Sequence, residues 1–156
     1  MEKKKILFVC MGNICRSPSA EAVFKGLIKK EGLEDQFEID SAGTGGWHVG
    51  APADKRMQTH AMKRNYNLDS ISRQFDPETD FDRFDMIIAM DDENAGTLKK
   101  WVRNENDTAK IHKMTDFRQV WQYDEVPDPY YGGEEGFELV LDLLEDSCQG
   151  LLHEVK

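Results

Sequence analysis

The chain of 156 residues contains no C-x-x-C pair, and its four histidines (His48, His60, His112 and His153) are scattered. That spacing offers no zinc site and no other metal site. Three cysteines, Cys10, Cys15 and Cys148, build no disulfide framework in a chain of this size. No apolar run approaches the roughly 20 residues that a membrane helix needs, so no membrane insertion is expected. No G-x-x-x-x-G-K-[ST] is present, which excludes a Walker A loop. Between Asp124 and Asp146 there is no Lys or Arg, while nine carboxylates stand there. The formal net charge of -10 argues against nucleic acid or an anionic membrane as the main partner. The acidic run reads as a solvated face, or as a surface that favours basic protein substrates.

What is present suits a packed domain. Hydrophobic residues make up 39% and charged residues 32% of the chain, enough for a core and a wet surface. The length fits one domain over residues 1–156, with no repeat, low-complexity segment or linker. Met1 to Lys5 is basic, but the apolar stretch Ile6 to Val9 is too short for a signal-peptide core. A cytoplasmic location is therefore expected.

Strands and helices alternate along the chain. Lys5 to Val9 is a continuous apolar run of the kind buried on both faces in a parallel sheet. A helix follows: Ser17 reads as its N-cap and Pro18 as its first residue. Ala20, Val23, Phe24, Leu27 and Ile28 recur at helical spacing, and Gly32 can close the helix. Further strands are expected at Phe37 to Ser41, Asp85 to Met90 and Lys110 to Met114. Helices are expected over Asp54 to Arg64 and Asp92 to Val102. A last helix carries Phe137, Val140, Leu141, Leu144, Cys148, Leu151 and Leu152 on one stripe. The fold class is α/β, a three-layer domain with a central four-stranded parallel sheet flanked by helices. Ligands of such sheets bind beyond the carboxyl ends of the strands, where the Cys10 loop, the Gly43 to Gly50 loop and Asp91 all lie.

The segment Cys10-Met11-Gly12-Asn13-Ile14-Cys15-Arg16-Ser17 has the makings of an oxyanion site. It joins a strand to a helix N-terminus, where backbone N–H groups lack partners and the helix dipole is positive. A loop wrapped around Gly12 turns several N–H groups into one concavity. Arg16 adds a planar fork for two phosphate oxygens. The same field favours the thiolate of Cys10. Ser17 can donate its hydroxyl to that sulfur while its lone pairs cap the helix. The Asn13 side chain can hold an unusual backbone angle. The arrangement calls for no cofactor.

Val9 to Pro18 resembles the signature of the low-molecular-weight protein tyrosine phosphatases. Ser41-Ala42-Gly43-Thr44 with Trp47 and Gly50 is similar to their second active-site loop. Asp54 with Arg56, Met90-Asp91 with Asn94, and Asp128-Pro129-Tyr130-Tyr131 match further family segments. The resemblance implies a phosphotyrosine phosphatase I-like fold and hydrolysis of protein phosphotyrosine through a phosphocysteine on Cys10. Arg16 and the loop residues Met11, Gly12, Asn13, Ile14 and Cys15 would hold the phosphate. Asp128 would protonate the leaving phenolate and then activate water. Trp47, Tyr130 and Tyr131 would wall a cleft for a flat ring. Cys15 is either a reversible disulfide partner of Cys10 or a small buried residue, and Cys148 is core.

The chain departs from the family at Arg64 to Leu68, where a Gly is usual, and at Ser70-Ile71-Ser72, where a His is common. Three rival readings follow. An arsenate reductase would need two further relay cysteines, and Cys148 alone remains. Protein-arginine phosphatases of the same fold tend to carry Thr at the Ile14 position and to lack the Asp-Pro-Tyr-Tyr segment. A phosphopeptide-binding module without turnover has no need of Cys10, Arg16 and Asp128 together.

Overall fold

The computed structural model describes residues 2–129 and 133–156. Four strands, Lys4–Cys10 (β1), Phe37–Gly43 (β2), Met86–Ala89 (β3) and Ile111–Lys113 (β4), form one sheet in the order β2-β1-β3-β4. Every pairing in it is parallel. Among the described residues six α-helices accompany it: Arg16–Lys30 (α1), Lys55–Met62 (α2), Pro77–Arg83 (α3), Asp92–Lys100 (α4), Glu105–Ala109 (α5) and Glu134–Val155 (α6).

The apolar run of β1 is explained by two cores. Successive side chains of a strand point to opposite faces. Ile6, Phe8 and Cys10 face one cluster, with Phe24, Phe137 and Leu144 from α1 and α6. Leu7 and Val9 face the other, with Phe81 from α3 and Leu98 from α4. The stripe on α6 is buried throughout, from Phe137 at 1% exposure to Leu152 at 0%. Each such side chain contributes about 1.5–3 kcal/mol of transfer free energy. The result is three layers, helix on sheet on helix.

The start of α1 differs from the sequence expectation. The helix begins at Arg16, its N-cap position is Cys15, and no side chain caps it. Ser17 and Pro18 therefore lie inside the first turn. Pro18 is tolerated there because the first four N–H groups of a helix are unpartnered in any case. At the other end, Gly32 takes φ 71°, and Leu33 donates to the Ile28 carbonyl, so the expected glycine closure is present.

Other boundaries differ from the expectation as well. Strand β2 runs on to Gly43 because Cys10 pairs with Gly43. Helix α2 starts after Asp54, whose carboxylate accepts the N–H groups of Arg56 and Met57. Helix α4 ends at Lys100, and β4 is confined to three residues. The short helices α3 and α5 were not expected. Asp76 caps α3 with Pro77 in its first turn, and Asn104 caps α5, so capping residues were their one legible signal.

Candidate active site

The order β2-β1-β3 places the end of β1 where the sheet topology reverses, the position at which α/β sheets bind ligands. There the chain leaves Cys10 and wraps into a loop whose carbonyls are held from outside. Thr44 donates to the Cys10 carbonyl (2.9 Å) and Gly45 to that of Met11 (2.9 Å). The Ser72 hydroxyl donates to Gly12 (3.1 Å), and Asp54 N–H to Ile14 (2.8 Å). Ser19 donates to the Cys15 carbonyl from both its N–H and its hydroxyl. A trans peptide points its N–H opposite to its C=O. Outward carbonyls therefore turn the N–H groups of Met11, Gly12, Asn13, Cys15 and Arg16 inward, as an anion nest requires. Gly43 permits the close approach, since a Cβ there would stand 2.8 Å from the Met11 carbonyl oxygen.

Asn13 shapes this loop from behind. Its φ is 56°, the left-handed region that Asn tolerates. It is 1% exposed, so it supports the loop rather than lining the cavity. Its amide oxygen accepts the Arg73 N–H (3.0 Å), and its Nδ2 donates to Ser17 Oγ (2.8 Å). Ser17 Oγ lies 3.1 Å from Cys10 Sγ and 3.4 Å from the Ala42 carbonyl oxygen. With one lone pair taken by Asn13, its hydrogen is available to either acceptor, and the sulfur is the nearer. The Asn13 N–H lies 3.3 Å from the same sulfur. Ser17 is thus a partner of the thiol, and the cap role expected for it is corrected.

Arg16 is 3% exposed. Its Nη1 donates to Asp91 Oδ2 (2.6 Å) and to the Val126 carbonyl (3.1 Å). Nη2 lies 3.8 Å from Asp128 Oδ2. Burial opposes the guanidinium charge, but Cys10, Asp91 and Asp128 outweigh it and hold the proton more tightly than in water. With Nη1 committed, the rest of the fork remains for an oxyanion.

A cavity of about 240 Å³ is lined by Cys10, Met11, Gly12, Ile14, Cys15, Arg16, Trp47, His48 and Asp128. Most of the expected residues therefore meet in one place. Trp47 is 73% exposed, an open flank rather than a packed wall. Tyr130 and Tyr131 lie outside the described residues. Cys10, Cys15 and Cys148 are free thiols. Burial, with Asp54 next, pushes the Cys15 thiol well up. Cys148 is fully buried, as expected of core.

Two residues were missed as site residues. His48 stands beside Gly12, whose Cβ position would be 3.0 Å from His48 Cδ2. Asp91 holds Arg16 while its other oxygen caps α4 through Asn94 N–H (2.7 Å). Its place directly after β3 was visible in sequence; its partner was not.

A thiol, a buried guanidinium and a facing carboxyl stand around an amide nest at the switch point of a parallel sheet, an arrangement suited to an oxyanion. The chain belongs to the low molecular weight phosphotyrosine protein phosphatase family, whose model matches residues 5–156. It is 42% identical over 154 residues to the low molecular weight protein-tyrosine-phosphatase of Streptomyces coelicolor, covering 97% of this chain and 93% of that protein. Among solved structures, a protein tyrosine phosphatase from Entamoeba histolytica with Hepes in its active site matches with a TM-score of 0.95. Identity there is 48%, over 98% of this chain and 97% of that one. A Drosophila arginine phosphatase matches with a TM-score of 0.90 and 33% identity, over 97% and 98% of the two chains.

Proposed function

We propose that this chain hydrolyses protein phosphotyrosine and small aryl phosphates through a phosphocysteine on Cys10. The observation that carries this reading is the meeting of Cys10, Arg16 and Asp128 around one cavity. A phosphate dianion enters the nest, and the loop N–H groups with the remaining Arg16 fork take its equatorial oxygens. The Cys10 thiolate attacks phosphorus in line. The S–P bond forms as the P–O bond to the aryl group breaks, and Asp128 gives its proton to the departing oxygen. Asp128 then takes a proton from the water that attacks phosphorus. The S–P bond breaks, and the Ser17 hydroxyl stabilises the returning thiolate. The cycle closes on the chain's own groups and water, with no cofactor.

The exposed Trp47 flank offers an apolar surface for the ring of the substrate, with Tyr130 and Tyr131 as its expected companions. Sulfonate, the anionic group of Hepes, is the kind of tetrahedral oxyanion this nest accepts. Phosphotyrosine proteins are the proposed partners. The cytoplasm, where thiols stay reduced, is the proposed location.

The test is hydrolysis of an aryl phosphate and of phosphotyrosine, phosphoserine and phosphoarginine peptides, with Cys10→Ser and Asp128→Asn alongside. Cys10→Ser is expected to abolish turnover, and full activity in that variant would sink the mechanism. The Drosophila neighbour favours one second reading, an arginine phosphatase. Phosphoarginine as the best substrate would establish it over phosphotyrosine.

A further inference from the structure

The segment from Asp124 to Asp128 runs from the edge of the sheet to Arg16, and it is fastened at three consecutive residues. The Asp124 carbonyl accepts Thr115 Oγ1 (2.5 Å) and Lys113 Nζ (2.8 Å). Glu125 Oε2 accepts the backbone N–H of Asp92 at 2.6 Å, in the first turn of α4. The Val126 N–H donates to the Met90 carbonyl (2.9 Å), its own carbonyl takes Arg16 Nη1, and its side chain is fully buried. Beyond it, Pro127 locks its φ near −65°. Three residues of extended chain span about 10–11 Å at most. Asp128 is therefore held within that reach of Glu125, on a strap fastened at Asp124, Glu125 and Val126.

Glu125 is one of nine carboxylates in the acidic run, which on charge alone reads as solvated surface. Its bond sets it apart. The N-terminus of α4 has orphan N–H groups and the positive end of the helix dipole. Asp91 satisfies the N–H of Asn94, and Glu125 satisfies that of Asp92. Asp91 also holds Arg16. One helix terminus thus grips both the guanidinium of the site and the strap that carries its carboxyl.

We infer that Glu125 is a positioning residue for proton transfer by Asp128. It keeps the strap seated on α4 so that the Asp128 carboxyl stays beside Arg16, where a leaving oxygen would be. The inference rests on Asp128 being the general acid.

The test is kcat/KM across aryl phosphates of rising leaving-group basicity, from dinitrophenyl to phenyl phosphate. Wild type is compared with Glu125→Ala, Glu125→Gln and Asp128→Asn, each checked for folding by far-UV circular dichroism. A good leaving group departs without a proton donor, and a poor one needs it. In the two-step scheme kcat/KM reports transfer to Cys10, not the later hydrolysis. Glu125→Ala is expected to lose about tenfold with phenyl phosphate and to stay within about twofold with the dinitrophenyl ester. Glu125→Gln, whose amide oxygen still accepts the Asp92 N–H, is expected to keep the wild-type slope. An equal loss across the series, no loss at all, or Gln behaving as Ala would overturn the inference. A wild-type slope in Asp128→Asn would instead overturn the general-acid assignment, a result read from a different variant.

Discussion

Arg16 and Asp91, 75 residues apart in sequence, are joined at 2.6 Å, and the second oxygen of the same carboxylate caps α4 at 2.7 Å. One side chain thereby aims the buried guanidinium and terminates a helix. The two duties can be separated by substitution. Asp91→Ala removes both, leaving Arg16 without its closest anion and Asn94 N–H without its cap. A cap is worth about 1 kcal/mol, and breaking a buried ion pair costs about 3–5 kcal/mol. Asp91→Asn keeps an oxygen for the cap. Urea unfolding is expected to place Asp91→Asn about 1 kcal/mol above Asp91→Ala, with both below wild type. Equal stability of the two variants would show that the cap contributes nothing.

Ser17 lies between Asn13 and Cys10: its oxygen accepts the Asn13 amide at 2.8 Å and stands 3.1 Å from the sulfur. A hydrogen bond to a charged group is worth about 1.5–3 kcal/mol. Ser17→Ala is expected to lower kcat by roughly ten- to a hundredfold, since sulfur must leave phosphorus in the second step, with a smaller change in KM. Accumulation of phosphocysteine in rapid-quench experiments is the direct readout. A change confined to KM would refute the role.

Gly150 in α6 faces the 3-10 turn Met114–Phe117, and a Cβ at that position would stand 1.9 Å from the Phe117 carbonyl oxygen. Neither backbone can yield without moving a packed element. Gly150→Ala is expected to destabilise the fold by about 3 kcal/mol or more, although alanine favours a helix. The loop that follows Phe117 is pinned to the same helix by Asp146, which accepts the N–H groups of Gln119, Val120 and Trp121. Thermal unfolding by circular dichroism measures the loss, and an unchanged midpoint would contradict the contact.

Asp107 is buried against Arg103, whose hydrogen bonds hold its carboxyl below the usual carboxylate range, against the opposing cost of burial. The folded chain then binds its proton less readily than the unfolded chain. Between the two values the unfolded state carries more protons, so stability rises with pH. The contribution is complete above the unfolded value of about 3.9 and is lost as pH falls through the folded one. Asp107→Asn is expected to lower the melting temperature at neutral pH and to flatten the acid limb of the stability curve. Melts at a series of pH values decide it; an acid limb as steep as that of wild type would be the contrary result.

Much of the fold was legible because it is written in local pattern. The run Ile6 to Val9 announced a strand buried on two faces, and the α6 stripe from Phe137 to Leu152 a buried helix. Helices α3 and α5 were passed over because seven and five residues are too few for a hydrophobic period to register. Ser17 was misread as a cap for a different reason. A serine before a proline has the chemistry of an N-cap, and nothing local reveals that its hydroxyl is engaged by Asn13 on one side and Cys10 on the other. Asp91 carried a capping signal in sequence; its guanidinium partner lies on another helix.

Residues Cys10 to Arg16 determined by themselves that this chain presents a thiol and a guanidinium at a strand-to-helix turn, because a turn of seven residues brings its own groups together. Which of the 30 acidic residues would face that guanidinium was decided by the tertiary structure. Asp91 arrives just past the end of β3, the strand beside β1, and Asp128 on a strap fastened to β4, α4 and Arg16 itself. Those distances are closed by sheet order and packing, and such long-range closure leaves no periodic trace in the sequence.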